Sequence, residues 1–401
     1  NGTSNFLIDR DQQTRNASID YRIDTRSPLI HSQITAYWNN IEMNESRVSD
    51  GRHDSTALDV LGLNINNLSM FGDIAVLYGI DGYTEEFRAE RNGSNRPIPP
   101  DAETDVWGGF VQATIPLAKS WALELGTRYD YFATEAINLG QDRSDNDLSP
   151  SAALVWQSTD WLELTLRHDR AFRAPSSEEM YSTGTHFCMG PGSCNTFLPN
   201  PDLKAEQAAN TELLAAMQFV NVLGGDLLNI NASVFENRVD DFVEQIVEIN
   251  AGNTTWVNVD EAKITGFEVS ADYNINRFRA KLAYGQTRGE DNKTGEDLTN
   301  IPADTLTGDL SYRFWNNQLM TGFRVTYADD QNKTNYAENS DNKKYDSYSV
   351  ADVYASWEPQ SMKAFKVDLT VNNILDKHYS RAWEELDETG REMIVAARYK
   401  F

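Results

Sequence analysis

At 401 residues the chain is long enough for several ordinary domains or for one large β architecture, and with 61 acidic against 35 basic side chains its formal net charge is -26. So acidic a chain excludes general affinity for nucleic acid or for an anionic membrane surface. Hydrophobic residues make up 40% of the chain, yet no uninterrupted apolar run reaches the ~18 residues of a helical span, which excludes a helical membrane protein.

Aromatic residues are numerous for so polar a chain, with 17 Tyr, 17 Phe and 9 Trp, and a membrane barrel needs such rings at both interfaces. In chain order, short connections are read at 26–28, 66–68, 119–120, 158–160, 222–225, 316–317 and 360–362. Long polar connections fall between them at 44–54, 82–104, 135–146, 173–204, 248–255, 288–301, 328–344 and 380–389. Acid-rich stretches at 101–105, 142–147, 289–297 and 327–346 read as solvated loops. On an outer membrane such loops could also share divalent cations with lipopolysaccharide.

Between these connections the side chains alternate. Leu162, Leu164 and Leu166 oppose Glu163, Thr165 and Arg167, and Phe278, Ala280, Leu282 and Tyr284 oppose Arg279 and Lys281. Phe365, Val367, Leu369 and Val371 oppose Lys366, Asp368, Thr370 and Asn372. In the final segment Met393, Val395, Ala397, Tyr399 and Phe401 oppose Glu392, Ile394, Ala396, Arg398 and Lys400. Successive strand residues point to opposite faces, so one face suits lipid and the other water. The whole reads as about 17 strands of ~10 or more residues, enough to cross a bilayer when tilted. The expected fold is an all-β, antiparallel transmembrane barrel with short turns on the periplasmic side and long loops outside. A propeller or tandem sandwiches would repeat a signature and would not sort loops by side. An odd strand count cannot close an antiparallel barrel, and the chain starts without Met or a signal peptide, so an amino-terminal portion is expected to precede it.

Cys188 and Cys194 bracket a Met-Gly-Pro-Gly-Ser turn, for which a disulfide is the natural reading and implies an oxidising compartment. Two thiols without further ligands do not complete a zinc shell. No nucleophile elbow, phosphate-binding glycine loop or zinc motif is present, so no enzyme is indicated.

The longest connection carries Phe172-Arg173-Ala174-Pro175 and Asn200-Pro201-Asp202-Leu203, with His186 between them. These resemble the FRAP box, the NPNL box and the intervening histidine of TonB-dependent haem receptors, the second box departing at Asp202. Glu179-Met180-Tyr181, Lys204-Ala205-Glu206 and Thr287-Arg288-Gly289 are similar to the same family, and Asn373-Ile374-Leu375-Asp376-Lys377-His378-Tyr379 to the end of any TonB-dependent receptor.

The resemblance implies that residues 1–401 are the carboxy-terminal barrel portion, about 17 of ~22 strands, with the plug domain absent from this chain. It implies a long extracellular loop at 172–204. It also implies a receptor that binds haem, free or from haemoglobin or another haem-carrying protein, and imports it into the periplasm. The implied partners are outer-membrane lipid, lipopolysaccharide and the TonB-ExbB-ExbD complex, reached through the plug, and haem is cargo with no catalytic cofactor. A receptor for a ferric siderophore or another scarce ligand is the alternative, ahead of a porin or an outer-membrane enzyme.

Haem iron favours an imidazole nitrogen, so the resemblance makes His186 the extracellular axial ligand, with a second ligand on the plug. Tyr181 is the alternative, then Met180 and Met189. Phe187 and Phe197 are candidates to cover the macrocycle. Pro175 and Pro201 stop ladder pairing, and Asn200 and Asp202 favour turns, so the boxes read as supports for the loop base. Arg173 is expected to pair with an acidic residue, ahead of attracting a propionate. His31 and His53 read as interfacial or loop residues, His168 as part of the interface belt and His378 as structural.

Overall fold

A computed structural model describes residues 7–49, 51–93, 95–190, 192–298, 301–332, 345–362, 364–382 and 387–400. Positions 299–300, 333–344 and 383–386, which fall in the long connections and in the acidic stretch 327–346, lie outside the described residues, as do Pro191 and Phe401.

The strands are β1 (Ile8–Asp24), β2 (His31–Arg47), β3 (His53–Phe71), β4 (Ile74–Arg91), β5 (Pro97–Ile98), β6 (Ala102–Ala118), β7 (Trp121–Ala136), β8 (Gln141–Thr159), β9 (Leu162–Arg173) and β10 (Thr183–Gly190). They continue as β11 (Ser193–Phe197), β12 (Glu206–Val220), β13 (Asp226–Glu248), β14 (Asn253–Ile275), β15 (Phe278–Asp291), β16 (Thr305–Phe314), β17 (Leu319–Ala328), β18 (Tyr348–Trp357), β19 (Phe365–Asn372) and β20 (Glu392–Tyr399). One short helix, α1 (Ser177–Tyr181), follows β9.

Of these 20 strands, β5, β10 and β11 belong to connections. The other 17, the number expected, each pair antiparallel with the next along the chain. Among the described residues β1 pairs only with β2, and β20 only with β19. Both edge strands are exposed on nearly every residue, as strands with one neighbour must be.

The outward face is the apolar one. Val371 stands opposite Met393, Leu369 opposite Val395 and Val367 opposite Ala397, so the two alternations at the carboxyl end lie in register. Leu310 likewise faces Ala280 and Phe323. At the short-turn end Trp121 stacks on Trp156 and Trp161 on Phe219, while Tyr312 meets Phe314 and Trp357 meets Phe365, a girdle of the kind that sits at a membrane interface. Towards the opposite end Asp59, Glu86, Glu103, Glu135 and Asp142 lie directly opposite one another on β3, β4, β6, β7 and β8, with the outward parity of Leu61, Ile80, Trp107, Tyr131 and Leu148. Carboxylates are too costly to place in hydrocarbon, so the apolar belt ends below this row.

The inward face is polar. Asp272, Lys281, Asp309, Arg324 and Asp352 form one row of alternating sign across β14 to β18, with Arg324 donating to Asp309 at 3.2 Å. Two glycines make room for rings on the neighbouring strand: a Cβ at Gly62 or at Gly322 would lie 2.1 Å from the ring of Tyr37 or of Tyr354.

Several connection boundaries differ from those expected. The turn expected at 66–68 lies at Gly72 and Asp73, because Asn67 stays in the ladder and directs its side chain to Leu29 O, Ser69 Oγ and Tyr78 Oη. The turn expected at 158–160 falls at Asp160 and Trp161, and a further, unexpected turn at Asn276 and Arg277 separates β14 from β15. The connections expected at 44–54, 135–146 and 248–255 shrink to a few residues each, because the strands continue through most of those polar stretches. Polarity there marks the end of the lipid-facing pattern, while backbone pairing persists beyond it. β13 and β14 reach 23 residues each, more than twice the ~9–11 that cross a bilayer.

Candidate functional site

The two motifs of the connection between β9 and β12 are drawn together at its base. Phe172 and Arg173 are the last residues of β9, and Pro175 behind them is fully buried. Arg173 grips Glu206 with Nε and Nη2, at 2.6 and 2.8 Å, and reaches both oxygens of Glu179 with Nη1, at 3.0 and 3.1 Å. Both carboxylates make further contacts, since Glu206 accepts from Val243 N, and Glu179 closes a capping box with Ser176 at the start of α1. One guanidinium thus ties β9, α1, β12 and β13. A propionate approaching it would meet two carboxylates first, so the acidic partner is the observed one.

The second motif closes the same base. Asn200 donates from Nδ2 to Trp256 O and from its backbone N to Met180 O, and its Oδ1 accepts from Asp202 N in a local turn. Leu203 packs with Met180, Tyr181, Ala136 and Val243 in a buried apolar cluster edged by Trp256. Pro201 and Leu203 also present their carbonyls to Arg143, which Asp145 holds through two hydrogen bonds. Ala174 sits between the buried Pro175 and the ion-paired Arg173 and is half-buried.

From this base a hairpin of β10 and β11 rises, closed by a bond between Cys188 and Cys194, whose Cα atoms are 4.0 Å apart. Neighbouring segments hold it on two sides. Thr183 and Gly184 pair with Ile98 and Pro97 of β5, and Thr196 and Phe197 pair in parallel with Asn253 and Thr254 of β14. Gly184 has φ +82 and comes so near Arg96 that a Cβ would lie 2.1 Å from its carbonyl oxygen, so only glycine fits there.

His186 lies on this hairpin, half-buried, with Nδ1 2.9 Å from Thr254 Oγ1. Its ring is 4.7 Å from Phe197 and 5.0 Å, edge-on, from Phe187, and Phe197 in turn stacks on Trp256 at 5.3 Å. Phe197 therefore packs as a support between hairpin and wall. An oriented imidazole beside rings, on a clamped hairpin at the loop end of a polar-lined wall, suits coordination of a flat metal complex from solution.

A profile described as "TonB dependent receptor-like, beta-barrel" matches residues 1–374. The chain belongs to this receptor family. It is an integral barrel of a Gram-negative outer membrane, with its long loops extracellular and its short turns periplasmic. Over its full length it is 29% identical to the "Heme/hemopexin utilization protein C" of Haemophilus influenzae and 28% identical to the "Hemin receptor" of Yersinia pestis. The chain spans 59% of the length of each of these relatives. The FrpB iron transporter from Neisseria meningitidis superposes on 98% of this chain and 63% of its own, with a TM-score of 0.75 at 21% identity, a likeness of fold.

The remaining candidates of this receptor barrel are not beside His186. Tyr181 and Met180 are 4% and 0% exposed in the cluster at the loop base, and burial pushes the Tyr181 hydroxyl up, away from the phenolate an iron ligand requires. Met189 stands exposed next to the disulfide. His31 lies 3.6 Å from Asp24 at a periplasmic turn, and His53 bonds to Ser46 at the start of β3. His168 bonds to Thr211 with the outward parity of Leu166, and His378 is exposed in the connection after β19.

Sequence reasoning missed Thr254, Asn195, Trp256 and Arg143. Each reaches the site through strand pairing or loop packing with partners far along the chain, and no local motif marks them.

Proposed function

We propose that this chain forms the barrel of a TonB-dependent receptor that binds haem, free or carried by haemoglobin or another haem protein, and passes it to the periplasm for iron acquisition. The observation that supports this most is a single histidine between the two loop-base motifs, on a hairpin held at both sides. Imidazole nitrogen is a ligand that haem iron takes readily. The names of the two relatives, one for heme and hemopexin and one for hemin, favour the same cargo.

In this reading residues 1–401 are the barrel portion, the loop at 172–204 carries the ligand, and His186 binds the iron from the extracellular side. Phe187 covers part of the macrocycle, and the boxes fix the loop base. A plug domain supplies the opposite ligand and couples to the TonB-ExbB-ExbD complex. Haem is cargo and no catalytic cofactor takes part. A ferric-siderophore receptor is the second reading, favoured by the shared fold with an iron transporter.

Absorbance titration of the full-length receptor with haem separates the two. His186→Ala weakens haem binding and shifts the Soret band, because a strong-field nitrogen is lost, while His31→Ala and His53→Ala do neither. Unchanged affinity and spectrum in the His186 variant would move the ligand elsewhere, with Tyr181 tested next.

A further inference from the structure

The hydrogen bonds around His186 have a direction that can be read from the far end. Asn195 is 2% exposed, and its amide nitrogen lies 2.8 Å from Asn253 O and 3.3 Å from Glu248 O. Backbone carbonyls only accept, so these two contacts fix which end of the amide is NH2 and turn Oδ1 towards Thr254. Thr254 is 0% exposed, and its hydroxyl lies 2.6 Å from that oxygen. An amide oxygen cannot donate, so the one hydroxyl hydrogen of Thr254 goes to Asn195. Towards His186, 2.9 Å away, Thr254 Oγ1 is left with lone pairs alone. The proton of that bond must then sit on His186 Nδ1.

We infer that Asn195 and Thr254 are positioning residues that hold His186 with a proton on Nδ1, so that Nε2 is the ring nitrogen that would meet a metal. The purpose assigned to this relay rests on the haem-ligand reading above; the tautomer itself does not. A metal-bound histidine is commonly oriented by a hydrogen bond from its other ring nitrogen, and here the acceptor is a hydroxyl whose own hydrogen is committed elsewhere. The relay also explains why the hairpin is docked on the wall. Thr254 is the β14 residue that pairs with Phe197, so the backbone pairing that anchors β11 brings the hydroxyl under the imidazole. The two asparagine contacts reach the last residue of β13 and the first of β14, which ties the tautomer to the tip of that hairpin.

The test uses the full-length receptor labelled with 15N-histidine, with the His186 ring signals assigned by their loss in His186→Ala. In the haem-free protein Nδ1 should show the shift of a protonated ring nitrogen. Thr254→Val keeps the branched shape and removes the acceptor, so the single-tautomer pattern should be lost and haem affinity should fall about 10-fold. Thr254→Ser restores the hydroxyl and should restore both, which a role in packing alone would not do. An unprotonated Nδ1 in the wild type, or a Thr254→Val protein with wild-type ring shifts, overturns the relay. If His186→Ala weakens haem binding while Thr254→Val does not, the relay has no part in positioning the ligand. If His186→Ala leaves haem binding intact, the ligand reading fails instead, and the ring shifts still decide the tautomer.

Discussion

Removing the Arg173 guanidinium leaves Glu206 and Glu179, with side chains 12% and 18% exposed, facing one another without a cation. Stripping one partner from a fully buried pair costs roughly 3–5 kcal/mol. Arg173 is itself 45% exposed and water screens it, so Arg173→Ala is expected to weaken the loop base by about 1–2 kcal/mol. Arg173→Lys should fall between, since a point charge cannot reproduce the two-pronged grip on Glu206. Limited proteolysis in the connection between β9 and β12 would report this, and an unchanged cleavage rate in Arg173→Ala would refute the tie. At this scale the residues that sit in recognisable strings, such as His186 and the two boxes, could be singled out from the sequence. It hid Thr254 and Asn195, which meet across 59 positions and carry no pattern of their own.

Among the described residues the restraints on the hairpin of β10 and β11 include its disulfide, its pairing with β5, its pairing with β14 and the side-chain bonds of His186 and Asn195. Closing so short a covalent loop contributes about 2 kcal/mol in the chain-entropy account. The other restraints survive when it opens, so Cys188→Ser with Cys194→Ser should loosen the hairpin without freeing the connection. Hydrogen exchange is expected to quicken at the β10 and β11 amides and to stay unchanged at α1 and Leu203. Faster exchange throughout the connection would show that the disulfide carries the whole fold of the loop. The cysteines were legible as a pair because a turn separates them. The pairings with β5 and β14 were not, since a polar connection gives no periodicity from which a partner can be read. For the same reason the expected strands were too short: the apolar alternation that marks them stops where lipid stops, while the backbone ladder continues.

Across the whole molecule the outward alternation is the signal that could be read from the start, because lipid imposes it on every strand. It yielded the strand number and the sorting of turns from loops, although it missed the turn at Asn276 and Arg277. Leu282 lies on this face, 54% exposed, between Ala271 on β14 and Gly308 on β16. Leu282→Arg is expected to destabilise the folded barrel by about 2–4 kcal/mol in bilayers, the cost of a cation near mid-membrane, whereas Glu86→Arg beyond the apolar belt should cost little. Urea titration in lipid vesicles would measure both, and equal effects would misplace the belt. The strand that sets Thr254 beside His186 runs without interruption to Ile275 at the periplasmic turn. β14 is therefore a ruler, and the height of His186 above the membrane is read off it. Shifting the pairing by one residue would reverse every side chain between lipid and lumen. That height can change only in paired steps, each ~5 Å at a strand tilt near 40°, so the level at which the hairpin stands above the lipid is quantised by its wall.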